Sequence, residues 1–222
     1  MNYKGTSYGL SLNQRVAKRC VDIVFSATGL ILIGWVILFA IVFTKLSTNA
    51  PGVFIQTRIG RWGKPFKIFK IGTMKMTETG GTTVTTGADP RITRIGRFFR
   101  KTKIDELPQL INVLIGQMSF VGPRPDVPGF ADRLEGEDRL VLSIRPGITG
   151  PASLYFKNEE DLLSNVNYPE QFNKDVIYPK KVELNLKYIK NYSLLSDLRY
   201  IVGTVFSKVA PSCKMDSDET NS

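Results

Sequence analysis

One apolar block dominates the pattern of this chain. Ile23 to Phe43 carries no charged residue. As a helix rising 1.5 Å per residue it would be roughly 30 Å long, enough to cross a bilayer core. Lys4, Arg15, Lys18 and Arg19 precede it. Lys45, Arg58, Arg61, Lys64, Lys67, Lys70 and Lys75 follow it, with no acid between Asp22 and Glu78. Basic flanks mark the cytoplasmic side of a membrane segment, and here both flanks qualify. A segment that enters and leaves by one face satisfies both. Gly29, Gly34 and Trp35 offer places to break it, yet Gly is common in ordinary membrane helices, so a plain single span also fits. A signal peptide would have a shorter core, although Thr48-Asn49-Ala50 is a fair cleavage site. A buried soluble helix would be shorter or interrupted by polar positions.

Beyond the block the periods shorten. Asn49-Ala50-Pro51-Gly52 reads as a turn. Val53-Phe-Ile-Gln and Phe66-Lys-Ile-Phe-Lys-Ile71 alternate as short strands joined by the Gly60-Arg-Trp-Gly63 turn. Thr77–Ala88 is Gly/Thr-rich and predicts a mobile loop. From Asp89-Pro90 a helical run begins, with Ile92, Ile95, Phe98 and Phe99 on one side and five basic residues around the rest. Such a basic amphipathic helix suits a membrane interface or, equally, a core-facing position with a solvated basic face. Leu107, Leu110, Ile111, Leu114 and Ile115 keep helical spacing, with Pro108 suited to the first helical position and Gly116 to the end. Val121-Gly-Pro-Arg-Pro125 predicts a stiff extended segment, and Arg145-Pro-Gly-Ile-Thr-Gly150 a turn-rich loop. The expected organisation is a polar basic leader at 1–20, a membrane helix at 21–44, a domain at 45–208 and a flexible tail at 209–222.

Composition narrows the chemistry. A formal net charge of +10 on 222 residues attracts phosphates, nucleic acid or acidic lipids. There is no histidine, which removes the commonest general base and any Ser-His-Asp or Cys-His arrangement. Two cysteines without histidine supply neither a disulfide framework nor a usual zinc site.

Against that background the adjacent acids Asp105 and Glu106 stand out, just before a helix start and after Arg100, Lys101 and Lys103. The helix end and these bases favour an ionised carboxylate, able to attack phosphorus or to hold Mg²⁺. Plain helix capping is the competing and commoner role. Arg124, between Pro123 and Pro125, is presented on a stiff segment suited to two-pronged phosphate binding, or to an ordinary surface turn. The Gly147–Gly150 loop could approach a phosphate or sugar through its backbone, though most such loops are only turns.

Several strings together resemble one family. They are Lys18-Arg19-x-x-Asp22, Pro65-Phe-Lys-Ile-Phe-Lys70 with Thr73-Met74, Asp89-Pro-Arg-Ile-Thr-Arg-Ile-Gly96, Ile104-Asp-Glu-Leu-Pro-Gln-Leu110, Asn112 through Pro125, and Arg145-Pro-Gly-Ile-Thr-Gly150. In this order they resemble the bacterial sugar transferases, the monotopic phosphoglycosyl transferases that begin surface-glycan assembly. The resemblance implies an α+β, mainly helical fold: a re-entrant N-terminal membrane helix and a small cytoplasmic catalytic domain with short strands and interfacial amphipathic helices. It implies that Asp105 is a nucleophile toward a UDP-sugar, releasing UMP, and that polyprenol (undecaprenyl) phosphate then takes the phospho-sugar. Glu106 matches the dyad glutamate, and the pair would hold Mg²⁺. Lys70, Arg100 and Arg124 match active-site bases. Arg145 is grouped with them as a phosphate ligand, and Asp197 matches a late family acid. The implied setting is the bacterial inner membrane, with lipids as partners, no nucleic acid, and a homo-oligomer left open. Three positions depart from the family pattern: Gly34-Trp35 where many members have Ser-Pro, Gly72 where a base often stands, and Asn185 where some members have an acid. A non-catalytic, membrane-anchored basic module is the rival from another class, and a one-step transferase using the acids only through metal is a third reading.

Overall fold

The computed structural model describes residues 9–48, 51–75 and 89–206. The expected Thr77–Ala88 loop, the 209–222 tail, the first eight leader residues, and Asn49 and Ala50 of the expected turn and cleavage site lie outside them.

The apolar block forms the centre of one helix, α1 (Leu12–Ser47), of 36 residues. It begins well before the expected boundary at 21. Ser11 and Gln14 make a reciprocal capping box there, which satisfies two backbone donors at the start of the helix. Its polar first turns are useful because the domain supplies partners. Lys18 pairs with Asp197, whose carboxylate also accepts from the Tyr188 and Tyr192 hydroxyls. Asp22 Oδ1 accepts from Ser119 Oγ at 2.9 Å and from Phe120 N at 3.0 Å. Arg19 donates to Val113 O and Leu114 O. α1 runs without a break through Gly29 and Gly34, and Trp35 Nε1 donates to Leu32 O within the same turn.

The far end of α1 returns to the same domain. Ala40 and Ile41 pack with Ile71 and Phe99. Gly52 lies so close to Ile41 that a Cβ there would press on its carbonyl. Between these ends one long face stays open, with Ile31, Leu32, Trp35, Leu38 and Phe39 exposed.

The expected strands form. β1 (Val53–Ile59) and β2 (Pro65–Ile71) pair antiparallel, Phe54 opposite Lys70. The expected amphipathic helix starts later than Asp89-Pro90. Ile92 bridges to Met74, and Thr93 caps α2 (Arg94–Thr102) by accepting from Gly96 N. Phe99 of α2 is buried while Phe98 is exposed, so the helix serves the core with one aromatic and presents the other outward. Lys103 then takes a left-handed conformation (φ +60°) and reverses the chain into a single 3₁₀ turn, Ile104–Glu106. α3 (Gln109–Leu114) follows, with Pro108 just before it and Gly116 at φ +85° past its end.

β3 (Ser119–Val121) pairs in parallel with β4 (Gly147–Thr149). The Arg145–Gly150 string, expected to be a turn-rich loop, therefore contains a strand. Its glycines let backbone meet backbone: a Cβ on Gly122, Gly147 or Gly150 would overlap main-chain atoms of the opposite segment. α4 (Pro151–Tyr155), α5 (Glu159–Ser164), α6 (Pro169–Phe172), α7 (Tyr178–Lys190) and α8 (Leu194–Val205) complete the domain. α8 carries a second exposed apolar stripe, Leu194, Leu195, Leu198, Val202 and Val205.

Removing one member of a buried ion pair typically costs about 3–5 kcal/mol. Lys18→Met is expected to lower the thermal midpoint by several degrees or more, with Lys18→Met/Asp197→Leu recovering part of the loss. Thermal unfolding in detergent measures both; an unchanged midpoint for the single variant would show that the clamp does not hold α1 to the domain.

Candidate active site

The 3₁₀ turn buries two neighbouring acids. Asp105 and Glu106 are each 8% exposed. The folding reason is local: α2 ends in the left-handed Lys103, and the tight turn aims both carboxylates into the domain rather than at solvent. Two adjacent ionised carboxylates repel strongly in such a place, so cations must decide which one stays charged.

They favour Glu106. Arg124 Nη2 lies 2.8 Å from Glu106 Oε1, and Lys70 Nζ lies 3.9 Å from the same oxygen. Burial works to raise the Glu106 pKa, but Arg124, Lys70 and Lys103 outweigh it and hold the group well below the usual carboxylate range. Asp105 goes the other way. Burial, followed by the charge of Glu106, pushes it up to about 6, with Lys70, Lys103 and Arg100 only partly offsetting this. Its Oδ1 is buried and accepts no hydrogen bond. The site thus holds one firmly ionised, clamped carboxylate beside a second that is poised and unpartnered.

The bases are positioned by the scaffold. Asn112, fully buried, accepts from Phe69 N at 3.1 Å and donates to Lys67 O at 2.8 Å, fixing the free edge of β2 next to Lys70. Burial lowers Lys70 to about 8 even though Glu106 opposes the shift. Arg124 projects from the Pro123–Pro125 segment that follows β3 and is held charged chiefly by Glu106. Arg58 lies behind it, donating to Pro125 O at 3.2 Å and lowered to about 10 by burial and then by Arg124.

Of the residues expected at the site, Asp105, Glu106, Lys70 and Arg124 meet, and Arg100 contributes its charge from the end of α2. Arg145 does not join them. Its Nε donates to Gly116 O at 2.7 Å, and the charges it feels are those of Arg19 and Asp22. Asp197 sits in the Lys18 clamp under α1. Arg58 and Asp126 were missed. The signal for Asp126 was slight, a lone acid directly after the Gly-Pro-Arg-Pro string, and Arg58 looked like one more base in a basic flank. Among the described residues no group of three or more acids or cysteines gathers as a metal cage.

Over residues 13–210 the sequence matches the family described as bacterial sugar transferase. The chain belongs to this family. It is 39% identical over 203 residues to the UDP-glucose:undecaprenyl-phosphate glucose-1-phosphate transferase of Escherichia coli (strain K12), covering 89% of this chain and 41% of that protein. It is 35% identical over 202 residues to the exopolysaccharide production protein PSS of Rhizobium leguminosarum bv. phaseoli, covering 87% of this chain and 96% of that protein. A third relative, the UDP-N-acetylgalactosamine-undecaprenyl-phosphate N-acetylgalactosaminephosphotransferase of Aeromonas hydrophila, is 33% identical over 195 residues, covering 85% of this chain and 42% of that protein. The chain thus spans about two-fifths of the length of several relatives, and their names differ in the sugar.

Two departures from the family pattern have a local setting. A Cβ on Gly72 would overlap Pro51 O, so no side chain fits there with this backbone. Asn185 is buried in α7, and its Oδ1 has no partner.

The poised state of Asp105 has a thermodynamic consequence. Its pKa rises from 3.8 to about 6 on folding. The fold therefore carries no penalty from this group below pH 3.8 and loses stability as pH rises through 6, by on the order of 2–3 kcal/mol at pH 8. Asp105→Asn should raise the thermal midpoint at pH 8 in EDTA, with the gain shrinking toward pH 4. Thermal scans across that range test this; destabilisation at pH 8 would mean that Asp105 is compensated in the fold.

Proposed function

We propose that this protein transfers a sugar-1-phosphate from a UDP-sugar to a polyprenol phosphate, through a covalent intermediate on Asp105, at the cytoplasmic face of the bacterial inner membrane. The observation that carries the reading is the buried Asp105 carboxylate, unpartnered and beside a Glu106 neutralised by Arg124 and Lys70. Helix capping would leave such a group near solvent or bonded to backbone. A lipid- or nucleic-acid-binding module would have no use for it. The relatives' names, sugar-phosphate transferases acting on undecaprenyl phosphate, supply the substrate classes.

Phosphoryl transfer needs positioning and charge stabilisation more than proton shuttling, so a site without histidine suffices. The Asp105 carboxylate attacks the phosphorus that bears the sugar. The bond between that phosphorus and the bridging oxygen breaks, and UMP departs with the electron pair. An oxygen of the lipid phosphate then attacks the same phosphorus, and the bond to Asp105 breaks, regenerating the carboxylate. Arg124 and Lys70 lie where they can share charge with the phosphate oxygens. The open Asp105 Oδ1 and the neighbouring Glu106 fit a magnesium ion that takes one or two carboxylates and completes its shell with phosphates. When bound, the ion would supply charge neutralisation on the diphosphate.

The setting at a membrane rests on α1 and α8. A helix of 36 residues would be about 54 Å long if straight. Both its beginning, through Lys18 and Asp22, and its end, through Ala40 and Ile41, touch one and the same domain. A helix that crossed the bilayer would separate those ends by the membrane. The reading is therefore that both ends of α1 stay on one side of the membrane, with its open apolar side and the α8 stripe in lipid.

Asp105→Asn is expected to release no UMP from any UDP-sugar, and labelled phospho-sugar should be trapped on the wild type but not on the variant. A variant that still turns over would remove the covalent route. Wild-type turnover should also fall in acid as Asp105 gains its proton, and the fall should move to lower pH as the divalent ion concentration rises.

Topology has its own test. In a cysteine-free background, Asn13→Cys and Lys45→Cys should react with a membrane-impermeant maleimide from the same side of oriented vesicles. Labelling from opposite sides would establish a spanning helix.

A further inference from the structure

Beside Arg124 lies a small, partly open hollow of mixed apolar and polar lining that the transfer chemistry above leaves unused. The Pro123–Asp126 segment, α4 and α7 wall it. Two of its side-chain atoms, Ser153 Oγ and Asn185 Oδ1, are buried without a partner, and the Tyr178 hydroxyl has only Asp126 to face. A buried polar atom without a partner costs about 1–3 kcal/mol, and most such atoms in folded proteins have one. Two of them on one hollow mark a place that draws its hydrogen-bond partners from outside the chain.

The remaining walls say what kind of partner fits. Asp126 faces the Tyr178 hydroxyl, and burial pushes its carboxyl up to about 6, with Lys181, Arg58 and that hydroxyl only partly offsetting it. Glu159 is paired with Lys181 at 2.7 Å. Lys181 is taken by Glu159 and Arg124 by Glu106, so no unpaired cation faces the hollow to attract an anion. What remains is hydroxyl, amide and carboxyl groups set among the apolar surfaces of Val141, Ala152 and Val182, able to donate and accept at close range. That is the chemistry for a neutral, hydroxylated ligand. The space holds roughly one or two water molecules, enough for a hydroxyl or hydroxymethyl group and not for a whole ring.

We propose that this hollow reads a polar substituent of the donor sugar: a hydroxyl-bearing edge seats among Ser153, Tyr178 and Asn185 while Arg124 holds the adjoining phosphate. The proposal rests on the transferase reading above. It favours the sugar over the uracil because the sugar oxygen is bonded to the phosphorus that Asp105 attacks, whereas the base stands a phosphate and a ribose further away. Arg124, in turn, both lines the hollow and pairs with Glu106. A site that hydrogen-bonds a substrate hydroxyl discriminates far more strongly than an apolar pocket, because a ligand lacking the group leaves buried polar atoms unpaired. Asn185 is thereby a specificity-determining residue, in a family whose members are named for different sugars.

The experiment measures UMP release from UDP-glucose, UDP-galactose, UDP-N-acetylglucosamine and UDP-N-acetylgalactosamine with undecaprenyl phosphate in detergent. It compares the wild type with Asn185→Leu, Asn185→Asp, Tyr178→Phe and Ser153→Ala. The expected result is a change of tenfold or more in the ratio of kcat/KM between the preferred sugar and its epimer for Asn185→Leu and Tyr178→Phe. Inhibition by UMP should stay within twofold, and thermal midpoints should be unchanged or raised, since an unpaired polar atom has been removed. A parallel loss for all four donors, or ratios within twofold of wild type, overturns the subsite while leaving the transferase reading intact. No UMP release by the wild type from any donor overturns both.

Discussion

The Arg124–Glu106 contact governs the rest of the site. Two carboxylates adjacent in sequence are buried in one 3₁₀ turn, and their mutual repulsion must be resolved by fixed charge. Arg124 at 2.8 Å, supported by Lys70 at 3.9 Å, resolves it by holding Glu106 ionised. The repulsion then falls on Asp105, which burial already disfavours as an anion. A carboxylate that is neither bonded nor firmly ionised has its lone pairs available. Were Arg124 placed instead on Asp105, the candidate nucleophile would be the clamped group and Glu106 the poised one.

That contact depends on main-chain packing some distance from it. Arg124 can reach Glu106 only because the segment after β3 is held against β4, and Gly122, Gly147 and Gly150 allow that approach where any Cβ would overlap backbone. The prolines on either side of Arg124 limit how far its backbone can swing. On the opposite side, Asn112 binds the edge of β2 through Phe69 N and Lys67 O and sets Lys70. Three strings that looked like separate motifs are thus one support. The cost of the arrangement shows at Lys103, a non-glycine residue held at positive φ so that the chain can turn into the dyad.

The long apolar helix α1 is part of the same support. Arg19 occupies the carbonyls at the end of α3, and Asp22 binds Ser119 and the backbone of Phe120 in β3. Ala40 packs on Ile71 of β2 and Phe99 of α2. The elements that carry the dyad and its bases are therefore held by α1 at several points. This places the buried dyad beside an apolar surface without a separate linker, in a chain of net charge +10.

Much of this was legible in the sequence. The uninterrupted apolar run, the alternation in β1 and β2, the spacing of α3 and its glycine stop are short-range consequences of burial and backbone sterics. The dyad and Arg124 stood out because charge in a histidine-free chain has few places to act. Other features were decided only in three dimensions. Arg145 and Asp197 had the right chemistry in the right strings, yet one binds Gly116 O and the other clamps Lys18, because residue type does not fix which distant segment a side chain meets. The Gly147–Gly150 string read as a loop and is a strand, since a glycine's freedom serves close backbone packing as readily as a turn. Asp126, Arg58 and the hollow around Asn185 left almost no trace in the linear pattern. Periodicity reports which face of an element is buried; the partners of a buried polar group are set by segments tens of residues away, and only the folded chain brings them together.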